Sequence, residues 1–492
     1  MSKPVDEMTP ANAEPGGRWL KPMTVAQGLE VAMRHHGAGR LARAERLYLR
    51  ILEIEPSHAV ALQMLGVIAH QKGRSEQAVE LIAKALALKP DDAGAHFNLA
   101  LALHALARLE EAVASYRKAL ALKPNFTEAL YNLGNTLKDL GRLEEAAASY
   151  RQVVALQADF VPAHNNLGTM LAELGQPEEA IASFKRALAL KPDDPEAHNN
   201  LGSALADLGR LEEAVESYRK ALDLKPDHAD AWFNLHAALY AEGDMEPAAR
   251  CLEEALSAAP EHAASRFFLG VLRDYQGQSA TAARHFAALP KESDYATYGL
   301  DSWQYVKSVA GPRPRLLGES SHGLALGLEA ARLDGLVLEF GVRFGTSIRQ
   351  IAARVKERVH GFDTFRGLPE AWHELPGGSY STHGELPEVP RNVQLHVGLF
   401  AETLPRFLEQ YPGPVRFINV DCDLYSSTKT VLELLAGRIV PGTVMLFDEY
   451  LFNRHWREDE FRAFQEAVAK FGWRYGYLAF GLLSKQAVVL IR

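Results

Sequence analysis

A 34-residue period constrains this chain more than any other feature. Over residues 24–290, alanine occupies one register eight times: Ala44, Ala78, Ala112, Ala146, Ala180, Ala214, Ala248 and Ala282. A second register is small except for one histidine: Ala32, Gly66, Ala100, Gly134, Gly168, Gly202, His236 and Gly270. Proline closes the period at Pro56, Pro90, Pro124, Pro192, Pro226 and Pro260, with Ala158 in the one gap. Each period therefore predicts one supersecondary unit that buries its apolar face against its neighbours.

The three registers together predict a helical hairpin in each period. A small side chain is needed where two helices cross closely, and proline cannot continue a helix. Segments such as GRLEEA place a turn glycine before an acidic first helical turn, which suits the helix dipole. These features resemble the tetratricopeptide-repeat (TPR) family, which implies an all-α TPR solenoid of about eight repeats over residues 24–290. His236 breaks the small register, so we expect looser packing in that repeat.

Asparagine forms a further row that helix packing does not explain. It stands two residues before the small position in five consecutive units: Asn98, Asn132, Asn166, Asn200 and Asn234. Each amide offers a donor and an acceptor to an extended peptide in the groove of the array. The row resembles the asparagine ladder in the repeats of O-GlcNAc transferases. The alternative, that these side chains are solvated or bind local backbone and repeat because the units share ancestry, stays open.

Composition excludes several classes of protein. The formal net charge is -9, which disfavours nucleic acid as a partner. Two cysteines, Cys251 and Cys422, exclude a disulfide scaffold and indicate a reducing compartment. No apolar run suggests a secretory signal or a transmembrane helix. We therefore expect a cytoplasmic protein with no membrane partner, whose residues 1–23 are disordered.

The repeat register stops after Pro290, and a second domain follows. Residues 291–334 are expected to form a connector and the N-terminal helices of that domain, which occupies residues 335–492. Its strands alternate with helices and end in a hairpin, WRYGYLAF then KQAVVLI. This order predicts an α/β, doubly wound, Rossmann-like sheet with a terminal antiparallel hairpin. Ligands of such sheets bind beyond the carboxyl ends of the strands, where several acidic residues of this domain fall.

A glycine element, EFGVRFG at 339–345, follows the first long strand, and an acidic residue ends the next strand. Glycine lets a backbone approach a ligand closely, and a carboxylate can bind a ribose diol. The arrangement resembles class I S-adenosylmethionine (SAM) methyltransferases. The cofactor-binding residues that this resemblance implies are Glu339, Phe340, Gly341, Gly345, Thr346, Ser347, Asp363 and Thr364.

Three later motifs are more specific: GFDTFRGLPEAW (361–372), FINVDCDLYSST (417–428) and PGTVMLFDEY (441–450). In order and spacing they resemble the macrocin O-methyltransferase-like family of metal-dependent sugar O-methyltransferases. That resemblance implies Mg²⁺ held by Asp421, Asp448 and Glu449, with Asp423 as general base. His455 is a second candidate for proton transfer, and the alternative is a solvated loop histidine. Trp372 either stacks on the acceptor or packs, and Cys422 is expected to be buried.

We therefore predict a SAM-dependent O-methyltransferase that acts on a hydroxyl of a sugar or glycoconjugate. The TPR array would recruit a protein or peptide partner. One alternative is a TPR scaffold or adaptor whose methyltransferase domain binds cofactor without being the main activity. Another is an NAD enzyme, against which the absence of G-x-G-x-x-G and the terminal hairpin argue.

Overall fold

The structure is a computed structural model that describes residues 23–240 and 244–492. The chain divides into two compact units, Met1–Met170 and Leu171–Arg492. The sequence predicts that residues 1–23 are disordered. Of these, only residue 23 is among the described residues, so the prediction lies almost wholly outside them. Within the described ranges, no helix combines the length and apolar character that crossing a membrane requires.

Paired antiparallel helices follow the 34-residue period through both units. They are α1 Val25–Gly37, α2 Leu41–Ile54, α3 Ala59–Gln71, α4 Ser75–Leu88, α5 Ala93–Ala105, α6 Leu109–Leu122, α7 Thr127–Asp139, α8 Leu143–Leu156, α9 Val161–Glu173, α10 Pro177–Leu190, α11 Pro195–Asp207, α12 Leu211–Leu224, α13 Ala229–Ala238, α14 Glu246–Ala258, α15 Ala263–Tyr275 and α16 Ser279–Ala287. The division between the units lies within α9. The predicted all-α array of TPR-like hairpins is confirmed.

The small register faces a large side chain sixteen residues later. A β-carbon at Gly134 would overlap the ring of Tyr150, and one at Gly202 would overlap Tyr218. The sequence predicts looser packing around His236 because of its size. The structure differs, since the His236 side chain is fully buried. Leu252 occupies the facing register there and is also fully buried, where six of the other seven repeats carry an aromatic ring. The larger residue on one helix is matched by a smaller one on the other.

The remaining elements belong to the second unit. A short π-helix, Tyr295–Gly299, runs into α17 Leu300–Ala310. The later helices are α18 Ser320–Ala330, α19 Thr346–Arg354, α20 Phe400–Gln410, α21 Tyr425–Leu435 and α22 Glu460–Phe471. The strands are β1 Leu316–Leu317, β2 Leu336–Phe340, β3 Val359–Asp363, β4 Val393–Val397, β5 Val415–Val420, β6 Val444–Phe447, β7 Tyr475–Gly481 and β8 Ala487–Ile491.

The eight strands form one sheet in the order β1-β7-β8-β6-β5-β2-β3-β4. Strands β4, β3, β2, β5 and β6 are parallel neighbours, whereas β8 is antiparallel to both β6 and β7. The predicted doubly wound sheet with a terminal antiparallel hairpin is therefore confirmed. The strand order reverses between β2 and β5, and ligands of such sheets bind beyond the strand ends at that point.

One apolar cluster joins the last repeats of the second unit to its sheet. Leu252 of α14, Phe267 of α15 and Trp303 of α17 belong to the same buried cluster as Phe340 of β2 and Phe362 of β3. The boundary at residue 290 in the sequence is therefore not a boundary in the packing.

Candidate functional site

The carboxyl ends of β2, β3, β5 and β6 surround a cavity of about 530 Å³. Six residues that the sequence predicted for the site line it: Gly341, Asp363, Thr364, Asp421, Asp423 and Asp448. They come from four separate stretches of chain, and the parallel strands bring them to one edge of the sheet. The other candidates of this domain, Glu339, Phe340, Gly345, Thr346, Ser347, Glu449 and His455, are not part of the lining.

The glycine turn after β2 is held by Asp363. One oxygen of this carboxylate accepts hydrogen bonds from the backbone amides of Val342, at 2.9 Å, and Arg343, at 2.8 Å. The other accepts from the Phe365 amide at 2.7 Å. Gly341 has φ +91°, and a β-carbon there would overlap the carbonyl oxygen of Asp421. Asp363 therefore shapes the turn as well as lining the cavity.

Beneath the turn, Glu339 is fully buried. Its Oε1 accepts a hydrogen bond from Asn419 Nδ2 at 2.9 Å. Burial raises the pKa of Glu339 to about 8, and hydrogen bonds from Ser347 and Asn419 oppose that rise. The ring of Phe340 stacks on Phe362 within the core, with 4.9 Å between centroids. The Glu339 and Phe340 side chains therefore support the site from below.

The candidates around the start of α19 have structural places too. Gly345 is the N-cap of that helix and has φ +79°, which favours glycine. Thr346 and Ser347 form the first helical positions. The Thr364 hydroxyl donates to the carbonyl of Gly367, which fixes the turn after β3.

Three aspartates meet at the other side of the cavity. Burial, followed by the charge of Asp448, raises the pKa of Asp421. Burial, followed by Glu449 and then Asp448, raises the pKa of Asp423 to about 7. Asp448 accepts a hydrogen bond from Gln486 Nε2 at 2.7 Å, yet burial raises its pKa to about 6. The crowding indicates a site suited to a positively charged ligand.

Asp423 has an unusual backbone conformation. Its φ is +58°, and the Leu424 amide donates to the Cys422 carbonyl across it at 2.5 Å. Left-handed conformations in residues other than glycine are strained and cluster at functional sites. This turn directs Asp423 and Asp421 toward the cavity, while Cys422 is buried as expected.

The metal-ligand candidate Glu449 and the proton-transfer candidate His455 also lie outside the lining of this cavity. The Glu449 carboxylate binds Lys485 Nζ at 3.1 Å and accepts from Asn453 Nδ2 at 3.2 Å. His455 stacks on His373, with ring centroids 3.6 Å apart, and its Nδ1 lies 3.3 Å from Glu458 Oε2.

Near these histidines, Trp372 donates its indole hydrogen to Asp459 Oδ2 at 3.1 Å. His373 Nε2 lies 2.8 Å from the same oxygen. Trp372 is thus fixed to the loop that precedes α22. It is not among the residues that line the cavity.

Sequence reasoning did not single out Arg343, Tyr380 or Glu460. Arg343 lines the cavity and lies over the ring of Tyr380, 4.9 Å from its centroid. Glu460, the first residue of α22, is fully buried near the aspartates. Glu460 lies in the charged run REDE, which is typical of an exposed loop, so the sequence carried no signal for its burial.

The asparagine row is partly occupied by contacts within the array. In the first unit, Asn166 Nδ2 donates to Asn135 Oδ1 at 3.1 Å, and Asn132 Nδ2 donates to the backbone of Glu128 at 2.7 Å. In the second unit, Asn234 Nδ2 donates to Asn199 Oδ1 at 3.0 Å. Asn199 Nδ2 donates to Asn200 Oδ1 at 3.4 Å. Contacts of this kind support the local alternative for part of the row.

The helical hairpins, the doubly wound sheet and its strand-end cavity define the class of this protein: a TPR array fused to a methyltransferase domain. The family described as "Methyltransferase domain" matches residues 338–450. The descriptions "Tetratricopeptide repeat" and "TPR repeat" match residues 47–80, 66–107, 104–141, 131–195, 171–229 and 205–266. A methyltransferase domain implies SAM as cofactor and an acceptor substrate, and TPR repeats indicate a protein or peptide partner.

Solved structures similar to this chain cover its repeats. YrrB, a TPR protein with an unusual peptide-binding site, is 30% identical over 38% of this chain and 96% of its own, with a TM-score of 0.34. PilF of Pseudomonas aeruginosa is 24% identical over 43% and 96%, with a TM-score of 0.37. MamA of Desulfovibrio magneticus is 23% identical over 35% and 96%, with a TM-score of 0.33. No curated protein matches the chain.

Proposed function

We propose that this protein transfers the methyl group of SAM to a hydroxyl of a sugar or glycoconjugate, with the assistance of Mg²⁺. The observation that carries the proposal is the composition of the cavity at the strand ends. Its lining includes the glycine turn and Asp363 on one side and Asp421, Asp423 and Asp448 on the other. A methyl donor and a hydroxyl acceptor could therefore be held next to each other.

The donor would lie against the turn after β2. Gly341 allows close approach of the backbone, and Asp363, which fixes that turn, keeps one of its roughly four lone pairs for a ribose hydroxyl. Glu339 supports the turn from beneath. The sulfonium methyl group is already activated, so holding donor and acceptor in line supplies much of the rate acceleration.

The aspartates fit a hard divalent cation. Mg²⁺ prefers oxygen ligands, and Asp421 and Asp448 offer carboxylates whose pKa values are raised, first of all by burial. The resemblance adds Glu449 as a third ligand. A cation there would lower the pKa of an acceptor hydroxyl. Asp423, which its turn directs toward the cavity, would accept the proton from that hydroxyl. His455 remains the second candidate for this proton transfer.

The sugar class rests on the three motifs shared with macrocin O-methyltransferase-like proteins, and the polar lining supports it. Ser426, Ser427, Thr430 and Glu370 border the cavity and offer hydrogen bonds to a polyol. The repeat array would recruit the protein or peptide that carries the acceptor. In the asparagine row, Asn98, Asn132 and Asn200 are the members we propose as contacts for an extended chain. Asn166 and Asn234 already donate to side chains of the preceding repeat, whereas the contacts of Asn132 and Asn200 described above lie within their own helices.

Methyl transfer by the full chain from radiolabelled SAM tests the proposal. Free sugars, glycosides and glycopeptides serve as acceptors, with Mg²⁺ or with a chelator. Transfer to a hydroxyl that the chelator abolishes is the expected result. Asn98, Asn132 and Asn200 changed together to alanine should lower transfer to glycopeptides and spare free sugars.

Two outcomes would contradict parts of this proposal. Full activity in chelator removes the metal. Tight binding of S-adenosylhomocysteine without transfer to any acceptor class favours the adaptor alternative.

A further inference from the structure

Two histidines from separate segments of the second unit stack on each other. His373 lies in the loop between β3 and β4, and His455 lies in the segment between β6 and α22. Their ring centroids are 3.6 Å apart, and the ring planes are inclined by 14°. One ligand atom of each histidine and one carboxylate oxygen of Glu458 all lie within 4.8 Å of one another. Three potential metal ligands are therefore grouped where the two segments meet.

Hydrogen-bonded turns place both rings. His373 has φ +51°, and the backbones of Trp372 and Leu375 exchange two hydrogen bonds of 2.8 Å around it. The backbone amide of His455 donates to Asn453 Oδ1 at 2.9 Å. The stacking of the two rings therefore follows from the local backbone of each segment.

Asp459 pairs with one of the rings. Its Oδ2 lies 2.8 Å from His373 Nε2, and the Asp459 side chain is only 10% exposed. The side chains of His373 and His455 are 26% and 35% exposed, so solvent reaches both rings. Metal-bound histidines commonly donate one ring hydrogen to a carboxylate, which fixes the ring and leaves the other nitrogen for the metal. When His373 donates to Asp459 in this way, its Nδ1 keeps a lone pair for a cation.

We propose that His373, His455 and Glu458 form a binding site for a divalent transition metal, with Zn²⁺ as the best-matched ion. Imidazole nitrogens suit Zn²⁺ and its transition-metal neighbours, whereas Mg²⁺ and Ca²⁺ prefer oxygen ligands. Two histidines and one glutamate form a donor set that Zn²⁺ uses in proteins, with the fourth position open to water. The site thus differs from the proposed Mg²⁺ site both in its residues and in its donor atoms.

The spacing of the three groups is compatible with this ion. Bonds of about 2.0–2.2 Å to Zn²⁺ place tetrahedral ligand atoms roughly 3.4 Å apart. His455 Nδ1 already lies 3.3 Å from Glu458 Oε2. Because His373 and Glu458 are exposed, rotation of their side chains can close the remaining distances.

A cation at this site would join one wall of the cavity to the segment before α22. Leu368, Pro369 and Glu370, which precede His373 in the same loop, line the cavity. The cation would also occupy His455, which leaves Asp423 as the proton acceptor of the proposed reaction. Metal binding by these side chains does not itself depend on methyl transfer.

Zn²⁺ binding by the full chain tests this site without relying on activity. Zn²⁺ is titrated by calorimetry in millimolar Mg²⁺, which competes for sites made of oxygen ligands alone. His373→Gln should weaken Zn²⁺ binding by about tenfold or more, since even a residue that only orients a ligand contributes about 10–100-fold. His383→Gln is the matched control, because His383 is exposed in the same loop and has φ +56°. It should leave the affinity for Zn²⁺ unchanged.

Thermal unfolding gives a second readout and shows whether the variants fold. In chelator, His373→Gln should melt at the temperature of the parent, because the side chain lies at the surface. Zn²⁺ should raise the melting temperature of the parent and of His383→Gln. It should not raise that of His373→Gln or Glu458→Gln.

Three outcomes would overturn the zinc site. One is a parent chain that does not bind Zn²⁺ at submillimolar concentration. Another is equal affinity for Zn²⁺ in His373→Gln and His383→Gln. The third is loss of Zn²⁺ binding in Asp421→Asn but not in His373→Gln, which would assign the cation to the strand-end aspartates. Failure of methyl transfer with Zn²⁺ binding as expected would contradict the proposed function and leave the zinc site supported.

Discussion

His236 illustrates how a single residue departs from a repeat without loosening it. Its ring is fully buried, and Nδ1 pairs with the carbonyl oxygen of Phe233. Among the described residues, Nε2 has no hydrogen-bond partner. Burial therefore lowers the pKa of His236 to about 4, and the bond to Phe233 opposes that change. The neutral imidazole is the form that fits this repeat.

The free energy of unfolding should depend on pH because of His236. Its pKa is about 4 when folded and 6.5 when unfolded, so below pH 6.5 the unfolded state binds a proton that the folded state rejects. Stability is lost as the pH falls from 6.5 toward 4. At pH 5 this loss amounts to about 2 kcal/mol.

Hydrogen exchange of the amides in α13 and α15 at pH 7.5 and pH 5 measures this loss, after correction for intrinsic exchange. His236→Gln should reduce the drop in local stability by the same amount. His383→Gln, at an exposed position, is the control and should leave the drop unchanged. An equal pH dependence in the parent and in His236→Gln would rule out this origin.

At the scale of elements, repeat turns of the second unit support the glycine turn at 341–345, where we propose that the cofactor binds. A β-carbon at Gly175, between α9 and α10, would lie 3.2 Å from Phe344 and 3.5 Å from Arg343. Glu178 binds Arg349 of α19 at 2.8 Å. Gln350 of α19 donates to the backbone carbonyl of Asp207 at 3.0 Å. Helix α19, which follows the glycine turn, is thus held by two repeats.

Gly175→Val should therefore weaken cofactor binding although residue 175 lies far from the turn in sequence. The larger side chain would push against Phe344 and shift the turn at 341–345, which we expect to lower affinity for S-adenosylhomocysteine by about fivefold or more. Calorimetry on the full chain provides the measurement.

Gly277→Val is the matched control for this change. Gly277 occupies the corresponding turn of a later repeat, has φ +82°, and would have no neighbour within 4 Å of a β-carbon. Both substitutions place valine at a positive φ, so the two variants share this backbone strain. They differ only in the contact with the glycine turn at 341–345. If the two variants bind S-adenosylhomocysteine with equal affinity, the repeat does not influence the glycine turn.

At the scale of the whole molecule, the catalytic domain is not a separate packing unit. Phe267 and Leu272 of α15 are fully buried in the cluster that contains Trp303 and Phe340. A chain that begins after the repeats would expose the partners of these side chains to water. Each large apolar side chain left unburied costs about 1.5–3 kcal/mol.

Two fragments test this dependence. Residues 161–492 contain the whole second unit and should melt cooperatively and bind S-adenosylhomocysteine like the full chain. Residues 291–492 should aggregate or melt at a markedly lower temperature, as followed by circular dichroism. If the shorter fragment melts as the longer one does and binds equally well, the shared cluster is not needed for stability.

The sequence by itself determined the features that local spacing encodes. A 34-residue repeat of small residues dictates hairpin crossing, and an apolar strand followed by Gly341 or by Asp421 dictates a strand end. The order of these strands then places Asp363, Asp421 and Asp448 along one edge, because parallel strands share their carboxyl ends. Fold class and six of the residues that line the cavity could therefore be predicted.

Only the tertiary structure decided how polar side chains pair. Glu449 and Glu460 are both acidic residues near the sheet, yet Glu449 binds Lys485, whereas Glu460 is buried with no hydrogen-bond partner among the described residues. Asn166 and Asn234 of the row turn toward neighbouring repeats. Such pairings depend on the packing of α22, β8 and successive hairpins, which lie far apart in sequence. A local pattern specifies the backbone and its apolar face, but the partner of a polar group is fixed only when distant elements pack together.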